Sequence, residues 1–337
     1  MDRFQNILVG VDLCDGQSLI DIELSASTRA AIDKALWLAA RTSAKVMFIS
    51  SLMPCLDLTS DARSLEEMKH YQGLIDCLHD KASERMAGLV EEARSAGIEA
   101  SEIRTGGKPW YELIREVVES KFDLVLVGSH QQHTLGRVLL GNTGRRLIRK
   151  CPCAVWVTSP VEAGAVRTIL APTDFSETAA ESLKLAHSLA EQFGADLHVL
   201  HAVEYHFEPA MHHLIVPVAE VEAYRARIQA DAQRDLSTAL TEAGLEEAIA
   251  PAHRHIAVGR PHSVIQDAVN RLSTDLVIMG TQGRSGISGL LIGNTAERVF
   301  SHLTCSVLAI KPEGFQCPIE FPEQTETQDS SPPDLSA

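Results

Sequence analysis

The sequence is poor in aromatic residues, at 5%, and short of positive charge, with 30 Lys plus Arg against 45 Asp plus Glu and a formal net charge of −15. Non-specific capture of a phosphate backbone runs on counterion release by Lys and Arg, so an acidic surface disfavours nucleic acid as a partner. Long apolar runs are also missing, none approaching the ~18 residues that a spanning helix needs, and no membrane span is expected. The start, Met1-Asp2-Arg3-Phe4-Gln5-Asn6, lacks the basic stretch, apolar stretch and small-residue cleavage site of a secretory leader. The expected compartment is the cytoplasm. The seven cysteines contain no Cys-x-x-Cys pair. An odd number without dense spacing in a long chain argues for reduced thiols over a disulfide framework. No Gly-x-Ser-x-Gly elbow and no Gly-x4-Gly-Lys-Ser/Thr loop is present, which leaves dedicated hydrolase and P-loop chemistry unsupported.

What is there is an internal repeat. Phe122-Asp123-Leu124-Val125-Leu126-Val127-Gly128 matches Thr274-Asp275-Leu276-Val277-Ile278-Met279-Gly280. The same offset carries Gly141-Asn142-Thr143 onto Gly293-Asn294-Thr295, Pro109 onto Pro261 and Cys153 onto Cys305. Near the start of each copy Val9-Gly10-Val11-Asp12 matches Ala171-Pro172-Thr173-Asp174, which makes the first copy about ten residues longer, the excess falling around Asp15 to Glu23. Copy one is therefore placed at 1–159, a junction with Pro160 and Gly164 follows, and copy two occupies 165–312. From Glu313 to the end, at 337, six acidic residues, no Lys or Arg, and recurrent Pro, Ser and Thr predict a mostly disordered tail.

Within copy two the periodicity alternates. Thr168 to Pro172 reads as a short apolar strand, after which Leu183, Ala186, Ala190 and Phe193 recur at helical spacing until Gly194 supplies a stop. The pattern continues with a strand over Leu197 to Val203, a long helix over Glu220 to Ala243, a strand over Ala252 to Ala257 and a helix opened by Pro261. A strand over Leu276 to Met279, a helix from Thr295 and a strand over Ser306 to Ile310 complete it. Strands alternating with helices predict an α/β fold, one parallel sheet per copy, covered on both faces. Ligands of such sheets bind beyond the carboxyl ends of the strands, where the strand order reverses.

The segment Gly280-Thr281-Gln282-Gly283, with Gly293-Asn294-Thr295 after nine intervening residues, follows a buried strand and opens a helix. Glycine lets backbone N–H groups approach an anion, and a helix N-terminus adds unpaired donors, so phosphate binding is one reading. The other is that a strand-to-helix turn needs glycine in any case. These residues resemble the universal stress protein family, whose nucleotide-binding members carry Gly-x2-Gly-x9-Gly-Ser/Thr after the fourth strand. Pro172-Thr173-Asp174-Phe175-Ser176 resembles that family's first strand end, and Gly293-Asn294-Thr295-Ala296-Glu297-Arg298-Val299 the start of its last helix. The resemblance covers both copies.

It implies two tandem five-stranded parallel-sheet domains of the adenine-nucleotide α-hydrolase type, paired about a pseudo-twofold axis with Ala154 to Val157 and Ser306 to Ile310 at the junction. For the second copy it implies Pro172, Thr173 and Asp174 at the adenine or ribose end, Ala202 near the base, and Gly280, Gly283 and Gly293 around phosphates. Asn294 stands at the family's Ser/Thr position; an amide donates to phosphate but offers no hydroxyl, and Thr295 beside it could compensate. In copy one Gly128 and Gly141 persist, but Gln131 stands in the place of Gly283 and Arg137 in that of Gly289. A side chain where backbone must approach phosphate obstructs it, so copy one is not expected to bind ATP.

Copy two is rich in histidine, including His198, His201, His206, His212, His213, His253, His255 and His262. His198 and His201 are expected on opposite faces of one strand, and no His-Glu-x-x-His accompanies them, so no metal site is assigned. Cys151-Pro152-Cys153 is tighter than the usual redox spacing; Cys153 and Cys305, at equivalent strand starts, read as buried small hydrophobes, and Trp110 and Tyr111 as ordinary packing.

The expected protein is thus a non-enzymatic cytoplasmic stress-response protein with adenine-nucleotide binding in copy two, either AMP or ATP, magnesium accompanying ATP. Two alternatives remain: a carrier of a small apolar or lipid-like ligand, motivated by Gln131 and Asn294, or a slow ATPase. Association into homodimers, or with a protein partner, is left open.

Overall fold

Copy one is built from β1 (Asn6–Gly10), α1 (Ala26–Thr42), β2 (Lys45–Ser51), α2 (Leu65–Ser95), β3 (Ala100–Thr105), α3 (Pro109–Ser120) and β4 (Leu124–Gly128). A short pair, β5 (His130–Gln131) and β6 (Val138–Leu139), precedes α4 (Asn142–Lys150) and β7 (Ala154–Thr158). Copy two repeats the plan with β8 (Thr168–Pro172), α5 (Glu177–Phe193), β9 (Asp196–Val203), α6 (Glu208–His213) and α7 (Val218–Glu242). It closes with β10 (Arg254–Val258), α8 (Pro261–Leu272), β11 (Leu276–Gly280), α9 (Asn294–His302) and β12 (Ser306–Ile310). The computed structural model describes residues 4–13, 24–52, 65–131, 138–139, 141–159, 166–283 and 292–321. The insertion expected around Asp15 to Glu23, and Arg137 and Gly289, lie outside the described residues.

The strands form one ten-stranded sheet in the order β10-β9-β8-β11-β12-β7-β4-β1-β2-β3. Each half is parallel within itself, and the halves meet through the antiparallel pair β7 and β12, with Trp156 opposite Leu308. The two copies are therefore related by a pseudo-twofold axis at the centre of the sheet, where each covers an edge that the other would expose. In copy two β8 lies between β9 and β11, so the strand order reverses beside it and leaves a crevice at the carboxyl ends of β8 and β11.

One device recurs at equivalent places. Asp123 Oδ2 accepts the backbone N–H groups of Gln5 and Asn6 at 2.7 and 3.2 Å, and Asp275 Oδ2 those of Arg167 and Thr168 at 2.7 and 3.0 Å. Each aspartate, standing just before the fourth long strand of its copy, ties down the start of the first. The apolar strand residues feed two core layers, one on each face of the sheet. On one face the copies are joined by Phe193, stacked on Trp37 at 4.0 Å and edge-on to Trp156 at 6.3 Å, with the Lys34 ammonium 5.3 Å from its ring centroid.

Three differences from the sequence reading stand out. β10 begins at Arg254, because Pro251–His253 closes a 3-10 turn ahead of it. The short helix α6 comes ahead of the long one, started by Glu208 and Pro209, residues at home in a first turn. Residues 313–321 depart from the expectation of disorder: Cys317, Ile319 and Phe321 pack on the core layer that holds α3 and α4, and Phe321 lies 5.1 Å from the Tyr111 ring. Composition marks the segment as polar, but its few apolar side chains find an apolar surface left open by copy one. Among the described residues, no helix is long and apolar enough to cross a membrane.

Candidate functional site

Pro172 ends β8, and the chain turns sharply at Thr173-Asp174-Phe175 before Ser176 caps α5. Ser176 Oγ accepts the N–H of Ala179 at 3.2 Å, the ordinary way to satisfy a free donor in a first helical turn. The Ser176 hydroxyl and N–H both donate to Asp174 Oδ1, at 2.7 and 3.1 Å, which orients the carboxylate. Phe175 sits at φ 62°, in the left-handed region. That costs a bulky residue about 1 kcal/mol or more. The turn is held by the Phe175 N–H on Thr173 Oγ1 at 3.1 Å, and by stacking of the Phe175 ring on His201 at 4.2 Å. His201 Nδ1 lies 2.8 Å from the Thr173 carbonyl oxygen, so Nδ1 carries a proton and donates it there.

The glycine segment arrives from the next strand. Gly280 ends β11, and the buried Thr281 links its N–H to the Ile310 carbonyl at 2.9 Å while its own carbonyl accepts the Gly293 N–H at 2.7 Å. Thr281 thereby closes the loop at both ends and seats Gly293 at the start of α9. None of Gly280, Gly283 and Gly293 has positive φ, so conformational freedom is not what requires glycine here. Close approach is: a Cβ on Gly283 would lie 2.2 Å from Asp174 Oδ2, and one on Gly280 2.7 Å from Thr178 Cγ2.

Asp174, Gly280, Gly283 and Gly293 are therefore brought together at the switch point, with Asn294 exposed and Thr295 half-buried on the first turn of α9, whose N-terminus carries no side-chain cap. Ala202 stands on the neighbouring strand, paired with Ala257 and packed toward the α8 layer. Thr281, His201 and Ser176 were not singled out as site residues by sequence reasoning. The signal for Ser176 was its place directly ahead of a helical pattern; nothing in the sequence marked Thr281, whose role depends on where Ile310 lies.

The equivalent place in copy one is built differently. A Cβ on Gly128 would meet the α1 backbone itself, Ser27 C and Thr28 N, both at 2.7 Å. The buried Thr158 hydroxyl, standing where copy two has Ile310, donates to the Ser27 carbonyl at 3.0 Å and ties the first turn of α1 onto the sheet. Where copy two runs into its glycine loop, copy one forms the β5–β6 pair, with Gln131 in β5.

Three histidines cluster at the opposite end of β9. His198 Nδ1 lies 2.9 Å from His255 Nε2, and the His198 ring is 4.2 Å from that of His253. Burial, then the neighbouring His253 and His255, pull His198 down to about 4, with Asp196 opposing. Two neutral rings sharing one proton make a hydrogen bond. Among the described residues no group of three His, Cys, Asp or Glu is arranged to hold a metal ion. A cleft of about 270 Å³ between α5 and α7 shares Thr173 and Phe175 with the turn, and carries Lys184 and Asp235 beside Leu183 and Ala239. Such a mixed wall suits a polar ligand better than a lipid.

A sequence model described as the universal stress protein family matches residues 3–159 and 165–311. The chain belongs to that family, as a tandem pair of its domains. It is similar to universal stress protein E of Escherichia coli strain K12, at 28% identity over 96% of this chain and 99% of that one. Universal stress protein E of Photorhabdus laumondii is 27% identical, over 95% and 99% of the two chains. Among solved structures, a putative universal stress protein from Pseudomonas aeruginosa UCBPP-PA14 covers 93% of this chain and 95% of its own, with 23% identity and a TM-score of 0.63.

Proposed function

We propose that the second copy binds an adenine nucleotide, AMP or ATP, and that the chain works as a non-enzymatic stress-response protein of the cytoplasm whose output is conformational. The observation that carries this reading is the apposition of Asp174 and Gly283. An oriented carboxylate, of the kind that receives ribose hydroxyls, faces a glycine backbone beside the uncapped N-terminus of α9. Ribose and phosphates need those two chemistries within one nucleotide's length. Magnesium, if it accompanies ATP, would be held largely by the phosphates and water, with Thr295 the hydroxyl within the first turn.

The test is calorimetry with AMP and with ATP, with and without magnesium, on the full chain. One equivalent is expected to bind. Gly283→Val is expected to abolish binding, but its Cβ also displaces Asp174, so it removes both halves of the site. Asp174→Asn separates them: losing the charged acceptor should weaken binding about tenfold while leaving a measurable phosphate contribution. No heat from the intact chain with either nucleotide would overturn the reading.

A further inference from the structure

Lys311 directly follows β12, and because β12 runs antiparallel to β7 the lysine returns over the start of β7, where Cys151, Pro152 and Cys153 enter the strand. Its ammonium donates to the Ile148 carbonyl and lies 4.5 Å from the ring centroid of Phe315. Cys151 Sγ and Cys153 Sγ are 3.5 Å apart, close to van der Waals contact. Cys317, from the segment that lies along copy one, packs on the same core layer. Three thiols are thus gathered around the Lys311 ammonium, one residue beyond the Ile310 carbonyl that receives the Thr281 N–H, and the nucleotide site uses none of them.

The surroundings divide the thiols. Burial pushes the Cys151 thiol up, but hydrogen bonds from the Cys153 thiol and backbone N–H, with the field of Lys311, outweigh it and hold Cys151 below its ordinary value. Cys153 goes well above, through burial and through its hydrogen bond to Cys151. Burial also raises Cys317, and it pulls Lys311 down to about 8, against the nearby thiols. Two sulfurs 3.5 Å apart beside an ammonium are placed as an attacking and a resolving cysteine must be.

We propose that Cys151 and Cys153 are an oxidisable pair for hydroperoxides, with Lys311 holding the Cys151 thiolate and residues 313–321 covering the site. The Cys151 thiolate attacks one peroxide oxygen and the O–O bond breaks. The departing oxygen takes up the proton released when Cys151 ionised, leaving as water or an alcohol, and Cys151 becomes a sulfenic acid. Cys153 then attacks the Cys151 sulfur, the S–O bond breaks, and the hydroxyl leaves as water with the Cys153 proton. Two thiols have lost two electrons to one hydroperoxide. Forming the bond draws the sulfurs from 3.5 Å to about 2 Å, a small closure at the strand entry.

Access comes from local opening. The covering segment is held largely by side chains, Phe321 on Tyr111 and Phe315 on Lys311, so it can lift without unfolding the sheet.

The test treats the fully reduced full-length chain with one equivalent of hydrogen peroxide, alkylates the remaining thiols and maps peptides by mass spectrometry. The expected product is a disulfide within the peptide holding Cys151 and Cys153, with the exposed Cys77 still open to alkylation. Cys153→Ser is expected to stop at a sulfenic acid on Cys151, trapped by dimedone, and Lys311→Met to slow the reaction about tenfold. Oxidation of Cys77 while Cys151 and Cys153 stay alkylatable would overturn the proposal, as would a folded Cys153→Ser chain that yields no adduct on Cys151. The wild-type map decides the matter even if a variant fails to fold.

Discussion

At the scale of single residues, the histidine cluster makes a pH prediction. His198 is held at about 4, below its ordinary 6.5, so between those values the unfolded chain binds more protons than the native one. This contribution to stability is present above pH 6.5 and is lost as the pH falls toward 4. His255, lowered first by burial, acts in the same direction. Urea melts at pH 7 and at pH 5 should show a fall that is smaller in His198→Leu, by roughly 1 kcal/mol after discounting for solvent screening. Equal slopes in the two proteins would contradict this. The periodicity of β9 separated His198 from His201, but only the neighbouring strand could reveal that His255 comes within 2.9 Å of His198.

Asp174 and Gly283 make the same point. Each was legible, one at a strand end and the other in a glycine segment, while their contact depends on β8 and β11 being neighbours. Glycine was expected there for close approach of the backbone, and the close neighbour is the Asp174 carboxylate.

At the scale of elements, the two copies end their first helices differently. α5 stops at Gly194, φ 65°, and α1 stops at Ser43, φ 55°, in the same left-handed conformation. Serine pays a Cβ penalty there that glycine does not, so Ser43→Gly should stabilise the chain by about 0.5–1 kcal/mol. A higher midpoint in thermal or urea unfolding checks it, and a lower one would show that Ser43 makes a contact worth more than the strain. Long periodic helices and buried strands were readable because their apolar spacing is set by the same face they bury. α6 escaped because six residues span under two turns, too few for a period to show. The start of β10 was misplaced because Pro251-Ala252-His253 has no alternation to separate a turn from a strand.

At the scale of the whole molecule, the two halves share one sheet and an aromatic cluster around Phe193. Trp156 is fully buried beside the β7–β12 pairing and meets Phe193 of the other copy. Trp156→Ala should cost about 3–5 kcal/mol, because the ring leaves a cavity at the joint. Trp156→Phe should cost much less, since the indole N–H has no hydrogen-bond partner among the described residues to lose. Calorimetry of both variants checks the ranking; equal losses would mean that the joint depends on the strand pairing alone.

The sequence by itself determined the repeat, the alternation of strand and helix, and the glycine and aspartate landmarks, because each of these is written in local spacing that a pleated strand or a helix turn must obey. Only the tertiary structure decided that β7 and β12 join two sheets into one, that Thr281 seats Gly293, and that Lys311 returns over Cys151 and Cys153. Those contacts link residues as far apart as Ile148 and Lys311, and they follow from strand order and direction, which no local pattern records.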